Sequence, residues 1–204
     1  MSDSVGPAQF CCAMSLLSVL ASPASYSQPP VCEVQSGRVS SIRLGESIDQ
    51  VFRAYQNDFE IVEVKPRTST DPLIPQGPHL FNVVEKSSKR KWIGFWVDEE
   101  KKILEAYITA GPCATKEGIR VGSTLGQAIS AYGRPELSPA DVGYFVGFEK
   151  LPGIAFLLND SDIPKRLRGI PDDELGAKQE REIVSYRRAR IIEILVMRPA
   201  QNSQ

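Results

Sequence analysis

Few side chains in this sequence could do covalent chemistry. His79 is the only histidine, which excludes a His-rich zinc site or proton relay, because such sites take two or three imidazoles. Cys113 with His79 makes a nucleophile and base on paper, and Ser88 with Lys91 matches Ser-x-x-Lys spacing. The first pair competes with a disulfide for its thiol, and the second lies in a charged turn with no helix to hold it. Glu105 and Glu193 remain. Each occupies the same place in an Ile-rich segment, 102–108 and 190–196, and two carboxylates can divide acid and base work when one has raised proton affinity. A solvated glutamate on each strand is the plainer account of the same letters. Gly45 and Gly122 are single glycines before a helix, not a phosphate loop. The expectation is a chain that is not an enzyme and takes no metal or cofactor, with a hydrolase-type site at Glu105 and Glu193 or a small-ligand site as the alternative.

The elements that must position these residues are announced by a motif that occurs twice. Residues 42–55 and 119–132 align without a gap at an offset of 77, each running from an apolar strand end through a glycine and a hydroxyl residue into a helical period. Ser47 with Gln50 and Thr124 with Gln127 have the spacing of capping boxes. Behind them Ile48, Val51, Phe52, Tyr55 and Leu125, Ala128, Ile129, Tyr132 fall at i, i+3, i+4 and i+7. Residues 93–98 match 154–159, and 102–108 match 190–196. The second copy therefore lacks part of a proline-rich loop over 66–79 and gains an insertion over 160–182, with a short helix predicted at 171–181. Strands are predicted at 59–64, 79–86, 91–97 and 102–109.

The fold class expected is α+β: two tandem helix-plus-antiparallel-meander repeats, with the helices packed on one face of the sheet. Residues 1–28 are a signal peptide and linker, 29–112 the first repeat and 113–204 the second, the two forming one compact unit. Alternation assigns Ile93, Phe95, Val97, Leu104, Ala106 and Ile108 to the core, with Ile154, Phe156, Leu158, Ile192, Ile194 and Val196 as their counterparts.

Composition narrows the class. The chain has 204 residues, 42% hydrophobic, with Lys+Arg 24 against Asp+Glu 25. That balance gives no electrostatic reason for nucleic acid as a partner. Residues 1–28 carry no Lys or Arg and an apolar run over 10–21, too short to span a membrane and followed by the small residues a signal peptidase reads. Export to the periplasm or beyond is expected, with no integral membrane span. Of four cysteines, Cys11 and Cys12 lie in this leader, so Cys32 and Cys113 are the pair that survives it. Each precedes a copy of the motif, and in an exported protein such a pair reads as a disulfide.

The pattern Gly-x-[Ser/Thr]-x-x-Gln-[Val/Ala]-[Phe/Ile]-x-x-Tyr followed by a β-meander resembles the repeats of the β-lactamase inhibitor protein and of the SmpA/OmlA (BamE-like) outer-membrane lipoprotein group. The resemblance implies a noncatalytic secreted or envelope module that acts through protein contacts. No acceptor cysteine follows the leader in the manner of that lipoprotein group.

The strand positions that alternate with the core set point to where such contacts would be made. Trp92, Gly94, Trp96, Ile103, Glu105, Tyr107 and Thr109 share one face by parity, with Leu157, Ile191, Glu193, Leu195 and Met197 as counterparts. If open to water, this face is a binding surface with Trp92, Trp96 and Tyr107 as anchors and Glu105 and Glu193 as its acids. If the proline loop or the 160–182 insertion folds over it, the same residues form a second small core.

Overall fold

The computed structural model describes residues 32–64, 79–140, 143–168 and 177–199; the leader, the proline-rich loop and the first half of the helix predicted at 171–181 lie outside them. Runs rich in Val, Ile and Phe with period two set the architecture, because branched and aromatic side chains pack well on a pleated surface. Among the described residues twelve strands result: β1 (Glu33–Gln35), β2 (Arg38–Val39), β3 (Ile42–Arg43), β4 (Phe59–Val64), β5 (His79–Glu85), β6 (Lys91–Val97), β7 (Ile103–Ile108), β8 (Ala114–Thr115), β9 (Pro135–Ala140), β10 (Gly143–Phe148), β11 (Ile154–Leu158) and β12 (Ile191–Val196). Among the described residues three short helices join them, α1 (Asp49–Tyr55), α2 (Leu125–Tyr132) and α3 (Ala177–Ser185), with two 3₁₀ turns at Asp160–Asp162 and Lys165–Leu167.

This architecture corrects the expectation of two tandem α+β repeats. The protein is mostly β, with one continuous eight-stranded antiparallel sheet in the order β4-β5-β6-β7-β12-β11-β10-β9 and a separate four-stranded sheet, β3-β2-β1-β8. The lead-in to each helix motif does not belong to its own meander. Instead β1 pairs in parallel with β8, Glu33 opposite Ala114 and Val34 opposite Thr115, across the whole first half of the chain. The Cys32–Cys113 disulfide sits at the head of that pairing, and Ala114 N–H donates to the Cys32 carbonyl at 2.9 Å. The two motif copies also differ locally. Thr124 and Gln127 form the reciprocal capping box, whereas α1 starts at Asp49 with no side-chain cap on Ile48, and Ser47 Oγ accepts only the Asp49 N–H, at 3.3 Å. Tyr132 bonds Thr115 Oγ1 and Glu117 Oε2, both at 2.5 Å; Tyr55 instead meets the Phe59 ring edge-on at 5.5 Å.

One apolar cluster holds the fold together. It joins Val83, Ile93, Phe95, Val97, Phe156 and Ile194 of the large sheet to Val51 of α1, Leu125 and Ala128 of α2, Ile183 of α3, and Val34 and Val39 of the small sheet. Ile163 and Leu167 of the 160–168 segment are buried in the same cluster, and the Tyr144 hydroxyl donates to the Leu167 carbonyl at 2.5 Å. The described part of the insertion therefore packs on the helix side of the sheet.

Three register shifts revise the core assignment. Trp96 pairs with Glu105 but Val97 with Ile103, leaving Leu104 as an extra residue. Leu157 pairs with Glu193 but Leu158 with Ile191, leaving Ile192 as another. An extra residue in one strand inverts the facing of everything beyond it. Ile103 and Ile191 are accordingly buried, while Leu104 is only half-buried and Ile192 is 39% exposed. The third shift, between Val83 and Val84, leaves Trp92 as the extra residue of β6.

Candidate binding face on the helix-free side of the sheet

Every described helix, the 3₁₀ turn at Lys165–Leu167 and the small sheet contribute to the cluster on one side of the eight strands. The other face carries none of these described elements. A Cβ built on Gly147, which projects from that face, would meet nothing within 4 Å, and Glu136 and Ser138 beside it on β9 are exposed.

Register places the central residues in rows across the strands. One row runs Val62, Asn82, Gly94, Tyr107, Leu195, Ala155, Gly147. Trp96 stands in the adjacent row between Leu80 and Glu105. Gly94 explains how Tyr107 sits: a Cβ there would lie 2.1 Å from Tyr107 Cζ, so the ring lies flat across β6 where a side chain is missing. Its hydroxyl then reaches Asn82 Oδ1 on β5 at 3.3 Å, and Lys91 Nζ caps the ring 4.8 Å from its centre. Burial, with the Glu193 charge second, pushes the phenol up to about 12. The ring is thus neutral and fixed, and only 9% of the residue is exposed.

Of the residues expected to anchor this face, Trp96 and Tyr107 are on it and Trp92 is not. As the extra residue of β6, Trp92 turns to the helix side, where its ring meets Phe59 at 4.7 Å and lies against Gly111. Its carbonyl accepts N–H groups from Thr109 and Ala110, at 2.9 and 3.3 Å. Lys91 takes the place parity gave to Trp92. The signal for this was faint: a lysine before an aromatic at a strand start reads as a solvated edge. Gly94 between large apolar residues was the better clue, since glycine inside a strand marks a close approach.

Glu105 and Glu193 share the face without forming a pair. Leu195 lies opposite Tyr107, so the two glutamates are offset by four residues along the strands and one strand across, about 14 Å between backbones. Inverting glycosidases hold their carboxyl groups about 6.5–9.5 Å apart and retaining ones about 5–5.5 Å. Burial raises the Glu193 carboxyl, and the Lys91 charge pulls the other way. A raised carboxyl gives stability that is present below its unfolded value and is lost as pH rises through the folded value. Glu193→Gln is therefore expected to be more stable than the parent at pH 7 and to converge with it toward about pH 4, as read by urea unfolding across pH. His79 lies off this face, with Nδ1 2.9 Å from Glu63 Oε1, while Cys113 is held in the disulfide and Ser88 donates to Glu85 within its turn.

No protein-family model matches the chain, and no curated protein matches it. Among solved structures it is similar to the uncharacterized protein yfeY from Escherichia coli, with 12% identity and a TM-score of 0.50 over 83% of this chain and 100% of that one. At that identity the likeness is one of fold alone.

Proposed function

We propose that this chain is an exported, noncatalytic protein-interaction module that engages a protein partner through the helix-free face of its eight-stranded sheet. The observation that carries the reading is the placement of Trp96 and the Tyr107 ring at the centre of a sheet face over which no described element folds. Large aromatics fixed on central strands are the side chains that dominate binding energy in interfaces, because they bury much area and lose little rotamer freedom on docking. Glu105, Glu193 and Lys91 around them supply charged contacts that fix orientation. The Cys32–Cys113 bridge fits an oxidising compartment, and no described helix is long and apolar enough to cross a membrane. The test is a photo-crosslinking residue in place of Trp96, carried by the full chain in its native host. A discrete adduct is expected from that position, none from the same residue at Lys116, and loss of the adduct when Tyr107→Ala is added. Equal adducts from both positions, or none from either, contradict the reading.

A further inference from the structure

The two edges of the eight-stranded sheet are treated differently. At one edge β9 carries Pro135 and Pro139 inside an unbroken six-residue ladder with β10. A proline has no N–H to give, so both must turn their nitrogens away from β10. Two of the three outward positions of that strand are therefore unable to donate, which closes the edge to further pairing.

The opposite edge is open. Strand β4 has six residues, no proline, no lysine and no register shift, and among the described residues no strand pairs with its outer side. Lys86 N–H donates to the Asp58 carbonyl at 3.1 Å. This fixes the phase of the ladder: Glu60, Val62 and Val64 bond inward to β5, and Phe59, Ile61 and Glu63 turn their N–H and C=O groups outward. Exposed large apolar side chains gather here as well. Val62 and Val64 are each 39% exposed on β4, and Phe52, at 41%, lies edge-on to Phe81 on the neighbouring strand.

We infer that β4 pairs antiparallel with β4 of a second copy about a two-fold axis at Val62, joining two sheets edge to edge. The register follows from the sequence of the strand. An axis at Glu60 or Glu63 would set two glutamates opposite one another, which is unfavourable. An axis at Ile61 would set the exposed Val62 against the partner's Glu60 and pair only the half-buried Ile61 with an apolar residue. At Val62 the axis sets valine against valine on the helix-free face, Val64 against the partner's Glu60, and Ile61 against the partner's Glu63. No like charges then oppose each other, and Ile61 and Glu63 exchange their outward N–H and C=O groups with the same residues of the second copy. Such an isologous contact closes on itself and does not propagate. It uses the edge, not the Trp96 and Tyr107 face, and stands whether or not that face binds a partner.

Cysteine placement tests both the contact and its register. With the axis at Val62, the two Val62 residues form a non-hydrogen-bonded pair with Cα atoms about 4.5 Å apart, within disulfide reach. Two Val64 residues are four positions out of register. In full-length chain carrying Cys11→Ser and Cys12→Ser, Val62→Cys is expected to oxidise to a covalent dimer and Val64→Cys to remain monomeric under the same oxidant. In sedimentation velocity the parent is expected to self-associate, and Val62→Lys, which sets two ammonium groups face to face, to weaken that association by about tenfold or more with an unchanged circular dichroism spectrum. A parent that stays monomeric at its highest soluble concentration overturns the inference. So does a dimer in which the two cysteine variants crosslink alike or Val62→Cys does not crosslink.

Discussion

Replacing Cys32 and Cys113 together with serine is expected to lower the free energy of unfolding by about 4 kcal/mol, and reducing the parent protein should do nearly the same. The two sulfurs join residues 81 apart in sequence, and on the chain-entropy account closing a loop of that size removes about that much freedom from the unfolded chain. The staple also has a local role. It ties the start of β1 to the start of β8, which have only two register pairs to hold them. Without it the small sheet loses its link between the two halves of the chain, while the eight-stranded sheet keeps its own ladders. Urea unfolding with and without reductant measures the effect. A loss below about 1 kcal/mol would mean that the long connection is already restrained in the unfolded state.

Phe156→Ala carries an effect of similar size, about 3–5 kcal/mol. The Phe156 side chain is fully buried in β11, with the Phe148 ring at 6.0 Å and the Tyr132 ring at 6.4 Å. Removing it leaves a hole between the sheet and α2. The neighbours are held by strand ladders and by the Tyr132 hydrogen bonds to Thr115 and Glu117, so they cannot collapse into it. A cost near 1 kcal/mol would place Phe156 in a looser environment than its burial implies.

What was legible in the sequence divides by the range of the forces involved. Strands β4 and β6 lie where alternation put them, and β5 and β7 differ by a residue at their ends. The second helix starts at its capping box because Thr124 and Gln127 need only each other. The fold class was misjudged because pairing between distant segments leaves no local trace. Nothing in Glu33 to Gln35 announces that β1 would lie beside Ala114. Strand β9 was hidden by Pro135 and Pro139, which read as loop signals yet are tolerated on an outer edge. Within the candidate site, simple parity placed Trp96, Tyr107, Glu105 and Glu193 on one face, as the register has them. It failed for Trp92, Leu104 and Ile192, each the extra residue where a ladder shifts register, and for Ile103 and Ile191, which the shifts turn from the outer face into the core. A shift of one residue depends on packing across strands and is not written in either strand alone.

The account turns on whether the helix-free face is open to water. Urea unfolding of Trp96→Ala, set beside Phe156→Ala, measures this directly, because a large aromatic on an open sheet face contributes far less to stability than one in a closed core. The account predicts that Trp96→Ala costs under about 1.5 kcal/mol, well below the cost at Phe156. A loss of about 3–5 kcal/mol at Trp96 would show that the face is covered, and the binding role proposed for it would fall.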